Sequence, residues 1–338
     1  MITKVTPTAS TVHAVCRGVV PAIILILTLH GAAVGAQSEQ KETLIVTSAN
    51  PFNFIAALAD PKAGGEVRLE AALAFPPEAK ETDKFPAMIF IHGAGGPQPH
   101  HKRWLELIRA MGIVTVYADH FKPRGKSSAV GSHIQLTGAA MAVDALNMLA
   151  ALSAHPRIDA DRIGIMGASK GGGVTLYSAW TPLRQRIVGN RDFAAYIPLY
   201  PTCIYWDKKD FTLSPVMVMV GENDDWTGAE HCRKSVAEFR AAGFENIDIK
   251  VYEGAPHGFD SGVKSRKIER AYSVANCRFS IGPDGRDYAS GIFMDTAENK
   301  RKGLGQCATR GVTYGGDDHA MTLAKADVRS FLKATLFR

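Results

Sequence analysis

The 338-residue chain has few cysteines and no long unbroken apolar run, and each shortage narrows what it can be. Its five cysteines show no Cys-x-x-Cys spacing, so they do not form the frame of a structural zinc site. The strongest apolar stretch, Val19 to Leu29, contains Pro21 and is too short to span a bilayer comfortably. No segment repeats at a fixed period, which excludes solenoids and propellers. Basic residues outnumber acidic ones by 39 to 33, but they are scattered, whereas a nucleic-acid partner needs a clustered basic face. What is present is an ordinary globular composition, 46% apolar and 21% charged, enough for one large core.

Acidic residues are missing altogether before Ser38. Lys4 and Arg17 precede the Val19 to Leu29 run, and Ala32-Ala33-Val34-Gly35-Ala36 then offers small residues for cleavage after Ala36. This is the pattern of an export signal, and it predicts a periplasmic or extracellular protein once residues 1–36 are removed. An uncleaved anchor is the alternative, since apolar character continues from His30 to Ala36, and it is the only membrane contact expected. Four cysteines follow the leader. An even count in an exported chain predicts disulfides, and the alternative is four free buried thiols. Of the three possible pairings, Cys203–Cys232 with Cys277–Cys307 is expected, because Cys203 follows one strand and Cys232 lies just past the next strand's loop.

Beyond the leader, strands and helices alternate. Thr43 to Thr47 and Glu66 to Phe75 read as early strands, the second alternating around Val67, Leu69 and Ala71. Ala87 to Ile91 is a continuous apolar run, as expected of a strand buried on both faces. Strands are expected again at Ile113 to Ala118, Arg162 to Gly167, Phe193 to Tyr200, Val216 to Val220 and Ile247 to Tyr252. Helices are expected near Trp104, from about His133 to Ala154, after Ser169, across Ala229 to Ala241, and from about Ala320 to Leu336. The rhythm predicts an α/β fold, a doubly wound and mostly parallel sheet with helices on both faces, whose ligands bind beyond the carboxyl ends of the strands. Residues 258–316 break that rhythm and read as an irregular excursion over the rim of the site.

The chemistry centres on Met166-Gly167-Ala168-Ser169-Lys170-Gly171-Gly172, a Gly-x-Ser-x-Gly segment between an apolar run and a small-residue helix. Such a turn lifts a serine hydroxyl above a sheet, with glycines where side chains would collide. A serine hydroxyl needs a base to accept its proton. His257, among turn residues after the last core strand, is the candidate. Gly221-Glu222-Asn223-Asp224-Asp225 follows an earlier strand and supplies Asp224 to orient the imidazole, with Asp225 as its rival. The chain order Ser169, Asp224, His257 is that of α/β-hydrolases and differs from the chymotrypsin and subtilisin orders. Oxyanion donors are expected at the amide of Lys170 and in His92-Gly93-Ala94-Gly95-Gly96, at Ala94 with Gly93 next.

With those segments, and with Asp225-Trp226-Thr227 and Pro256-His257-Gly258-Phe259, the chain resembles the dienelactone hydrolase family of the α/β-hydrolase superfamily. The resemblance runs over roughly residues 65–260 and the final helix. The family's namesakes carry cysteine where this chain has Ser169, so the resemblance implies the serine-esterase branch rather than a dienelactone substrate. It implies an enzyme without a cofactor that cleaves a small-molecule carboxylic ester or lactone through an acyl-serine. A peptidase on the same fold and a non-catalytic binding protein on a hydrolase scaffold are the alternatives.

Arg124, after the fourth strand, is a candidate for a substrate carboxylate, or else a structural ion pair to Asp119. Trp226 and Phe259 flank the acid and the base and are candidates for the walls of a substrate pocket. His100-His101 and Asp317-Asp318-His319 are too short and isolated to predict a metal site, and Asp317 or Asp318 suits a helix N-cap.

Overall fold

In the computed structural model, which describes residues 40–80, 82–130 and 134–337, the early alternating segments form an antiparallel ribbon. Strand β1 (Lys41–Ala49) pairs with β2 (Glu66–Ala74), and the short helix α1 (Phe54–Ala59) lies between them in the chain. The expected leader, residues 1–36, lies outside the described residues. So does His133, the expected start of the long helix.

The core follows as β3 (Phe85–Ile91), α2 (Lys102–Arg109), β4 (Val114–Ala118), α3 (Gly138–Ser153), β5 (Ile158–Ala168), α4 (Lys170–Ser178), α5 (Thr181–Val188) and β6 (Ala195–Leu199). After the two-residue β7 (Ile204–Tyr205) come β8 (Val216–Gly221), α6 (Ala229–Ala241) and β9 (Ile247–Tyr252). The long helix begins at Gly138 because the Thr137 side chain caps it, accepting from the Ala140 amide at 3.1 Å.

Eight strands form one sheet in the order β1-β2-β4-β3-β5-β6-β8-β9. The pairs from β4 to β9 are all parallel, and β2 runs antiparallel to both neighbours. Strand side chains alternate between two apolar layers. Met88, Phe90, Met166, Ile197 and Met219 face one layer with Trp104 and Ile108 of α2. Ile89, Ile91, Ile165, Val218 and Val220 face the other, with α3 to α6. Helix α8 (Asp318–Leu336) completes the first layer through Ala324, Val328 and Leu332, and Asp317 is its N-cap. This is the expected α/β-hydrolase fold.

Residues 258–316 are more ordered than their sequence suggests. Strand β10 (Arg266–Ser273) pairs with β14 (Thr309–Tyr314), with a register shift between Ile268 and Tyr272. Strands β11 (Phe279–Ile281), β12 (Asp287–Ala289) and β13 (Ile292–Phe293) extend a small sheet from β7, followed by helix α7 (Ala297–Gly305). Strands of two or three residues are too short to show a period, which is why the segment reads as irregular. One disulfide, Cys277–Cys307, lies within this region, and a second, Cys203–Cys232, ties the chain just before β7 to α6; both are the pairs expected from the sequence. No helix among the described residues is long and apolar enough to cross a membrane.

Candidate active site

The site is built on the turn from β5 to α4. Ser169 sits there at φ 57° and ψ −116°, a backbone conformation that only surrounding structure can impose. Its amide is tied to the Leu199 carbonyl at 2.9 Å. Two glycines make the turn possible. A Cβ on Gly167 would lie 2.3 Å from the Gly171 carbonyl oxygen, and one on Gly171 would lie 2.1 Å from that of Ile91.

The serine hydroxyl donates to His257 Nε2 at 2.9 Å, and His257 Nδ1–H donates to Asp224 Oδ2 at 2.8 Å. Both the imidazole and the carboxylate are buried. Burial alone would raise the Asp224 carboxyl, but the charge and hydrogen bond of His257 and the donors of Thr227 outweigh it and hold it below the usual carboxylate range. Asp224 Oδ1 accepts from the amides of Trp226 and Thr227, each at 2.9 Å, and the Thr227 hydroxyl donates to Oδ2 at 2.8 Å. The neighbouring Asp225 points elsewhere. It accepts from the Thr313 amide at 2.6 Å and the Thr313 hydroxyl at 2.9 Å, so it anchors β14 rather than His257.

The loop after β3 reaches the same place. A Cβ on Gly93 would lie 3.4 Å from that of Ser169. The Gly93 carbonyl accepts from His92 Nδ1 at 2.8 Å and from the Gly96 amide at 3.1 Å. Because a trans peptide directs its N–H opposite its C=O, these bonds also orient the Ala94 amide. His92 Nε2 in turn accepts from the His120 amide at 3.1 Å, so the ring is a neutral tautomer, and burial followed by the nearby His120 pushes its pKa down to about 3. The Lys170 amide is the first of α4, where no intrahelical acceptor exists.

Two of the candidate substrate contacts are placed differently. Arg124 is not in the cleft. Both its Nη atoms donate to the fully buried Asp144, each at 2.9 Å, and Nη2 also reaches the Ala49 carbonyl. Its expected partner Asp119 instead accepts from the Phe121 and Lys122 amides. Phe259 is buried against Tyr200 and Tyr252, because the chain turns at Gly258 and sends the ring into the layer beneath His257. Trp226 does line the cleft, 5.0 Å from the His257 ring.

Several site residues carry little sequence signal. Thr227 has a weak one, the Asp-x-x-Thr spacing of a side-chain-capped turn. Tyr200 has none; it adopts φ 35° and lays its ring 4.7 Å from His257 while its hydroxyl donates to Asp260 at 2.8 Å. His101 lines the cleft, with Nδ1 2.7 Å from the Tyr117 hydroxyl. Among the described residues no three His, Cys, Asp or Glu side chains gather to hold a metal ion.

Comparison with known proteins places this geometry in a family. The model of the dienelactone hydrolase family matches residues 69–278. No curated protein matches the chain. Among solved structures it is similar to the esterase Est2 of the planctomycete Thermogutta terrifontis, at 19% identity over 57% of this chain and 79% of that one, with a TM-score of 0.47. A protein from Klebsiella pneumoniae, provisionally assigned as a dienelactone hydrolase, is similar at 17% identity over 64% and 89%, with a TM-score of 0.47. Dipeptidyl peptidase 4 of Porphyromonas gingivalis is similar at 18% identity over 65% of this chain and 32% of that one, with a TM-score of 0.48. Since the family match spans well over half of its residues, the chain belongs to the dienelactone hydrolase family.

Proposed function

We propose that the protein is an exported serine hydrolase that cleaves a carboxylic ester or lactone through an acyl-Ser169 intermediate. The observation that carries this reading is the continuous Ser169–His257–Asp224 hydrogen-bond chain, set beside the Ala94 and Lys170 amides.

His257 Nε2 takes the hydroxyl proton as Ser169 Oγ bonds to the carbonyl carbon, and Asp224 stabilises the imidazolium that results. The oxyanion is met by the Ala94 and Lys170 N–H groups, with the Gly93 carbonyl anchoring the first of them. As the carbon–oxygen bond to the alcohol breaks, the imidazolium gives its proton to the leaving oxygen. Water, deprotonated by His257, then attacks the acyl-serine, and the proton returns to Oγ as the acid is released. In a lactone the leaving oxygen stays tethered, and the product is a hydroxy acid. Export is supported by the leader pattern and by two disulfides, which persist in oxidising compartments.

The test is labelling with a fluorophosphonate probe together with hydrolysis of short p-nitrophenyl esters, comparing wild type with S169A. Label and turnover should both disappear in the variant. Folded wild-type protein that takes no label would overturn the reading.

A further inference from the structure

Ser169 and Trp226 stand between two cavities of different chemistry. The larger, about 230 Å³, is lined by His257, Ala94 and Tyr200. The smaller, about 130 Å³, runs under residues 274–304, and His257 is not among its walls. The group that protonates a leaving oxygen must touch it. The alcohol therefore departs through the larger cavity, and the acyl chain occupies the smaller.

That acyl cavity is mostly apolar, walled by Phe54, Tyr177, Phe279 and Met294, yet it holds three ionisable groups besides the tyrosine: Lys170, Asp287 and Lys300. Lys300 Nζ lies 3.8 Å from Asp287 Oδ2, with both side chains largely buried. Asp287 Oδ1 is buried without a hydrogen-bond partner among the described residues. Lys170 has no carboxylate partner among them either. Burial, and then the nearby Lys300, push its ammonium down to about 7. Two potential cations thus face one carboxylate in a low-dielectric pocket. A neutral acyl chain would leave that imbalance in place, whereas an anionic terminus would remove it.

We propose that the substrate's acyl group ends in a carboxylate held by Lys170 and Lys300, so that the enzyme hydrolyses half-esters of dicarboxylic acids to the diacid and an alcohol. The inference rests on the hydrolase reading above. Asp287 and Lys300 lie beyond the residues matched by the family, whereas Lys170 lies within them, so the segment after residue 278 supplies one of the two lysines of the subsite.

The experiment compares monoethyl esters of short dicarboxylic acids with ethyl esters of fatty acids of equal length, following acid release at constant pH. Wild type should favour the half-esters in kcat/KM by about tenfold or more, as one charge-assisted contact provides. K300M should lose most of that preference. D287N, which deletes the competing anion and keeps both lysines, should raise it, an opposite effect that misfolding cannot mimic. Equal or better turnover of the neutral esters, a preference unmoved by K300M, or a preference lowered by D287N overturns the inference. If the fluorophosphonate probe still labels Ser169 in that case, the hydrolase reading stands without it; no label on wild type removes both.

Discussion

Replacing Arg124 with methionine separates two roles that the sequence alone leaves open, a substrate contact and a buried counter-ion. Asp144 is fully buried and accepts four bonds: two from Arg124 at 2.9 Å, one from His120 Nδ1 at 2.9 Å and one from the Ser48 hydroxyl at 2.5 Å. Burial pulls its carboxyl upward, but the His120 hydrogen bond and the Arg124 charge overcome that and hold it below the usual range. Methionine keeps the length of the stem and removes every donor, so the carboxylate stays buried with half its bonds. Breaking a buried pair from one side costs about 3–5 kcal/mol. For a domain of this size each kcal/mol moves Tm by roughly 2 °C, so R124M should melt about 6–10 °C lower at pH 7. The sign with pH is also set. A depressed folded pKa contributes stability that is complete above the unfolded value near ~4 and lost as pH falls through the folded one. The gap between wild type and variant should therefore narrow in acid. Thermal unfolding at several pH values, run beside kcat/KM measurements, checks both. A variant with wild-type Tm and a raised KM would refute the reasoning and return Arg124 to the substrate.

The remaining predictions concern the oxyanion loop and the cap. H92L removes the bond that holds the Gly93 carbonyl, and should lower kcat about 10–100-fold with little change in KM, since a misdirected Ala94 amide weakens only the transition state. H92N can present a donor near the position of Nδ1 and should recover part of the loss; steady-state kinetics on one ester decides. Replacing Cys277 and Cys307 with alanine opens a loop of 30 residues. The chain-entropy relation assigns that about 3.5 kcal/mol. Hydrogen exchange should rise across residues 266–314 while β3, β5 and β8 stay protected, and uniform loosening of the central strands would contradict the assignment.

Much of the candidate site was legible in the sequence because each part is a local pattern. Ser169 is announced by glycines at positions where the turn leaves no room for a Cβ, and His257 and Asp224 each follow a recognisable strand. Asp224 could not be told from Asp225, because neighbouring residues in a loop point in different directions that only their partners determine. Arg124 misled for a related reason. Its partner Asp144 is twenty residues away on α3, and an ion pair between elements leaves no periodic trace. Phe259 flanks the base in sequence, but the chain turns at Gly258, at positive φ, and the ring lies buried rather than in the cleft.

By itself, then, the sequence determined the strand–helix rhythm, the elbow, the chain order of Ser169, Asp224 and His257 and an even set of cysteines suited to disulfides. These depend on period, on local backbone geometry and on parity, all of which short segments carry. Only the tertiary structure decided which aspartate faces His257, that Arg124 is a counter-ion, and that Lys170, Asp287 and Lys300 share a cavity beside Ser169. Those facts depend on burial and on contacts between distant segments, and burial is what turns an ordinary charged side chain into one that requires a partner.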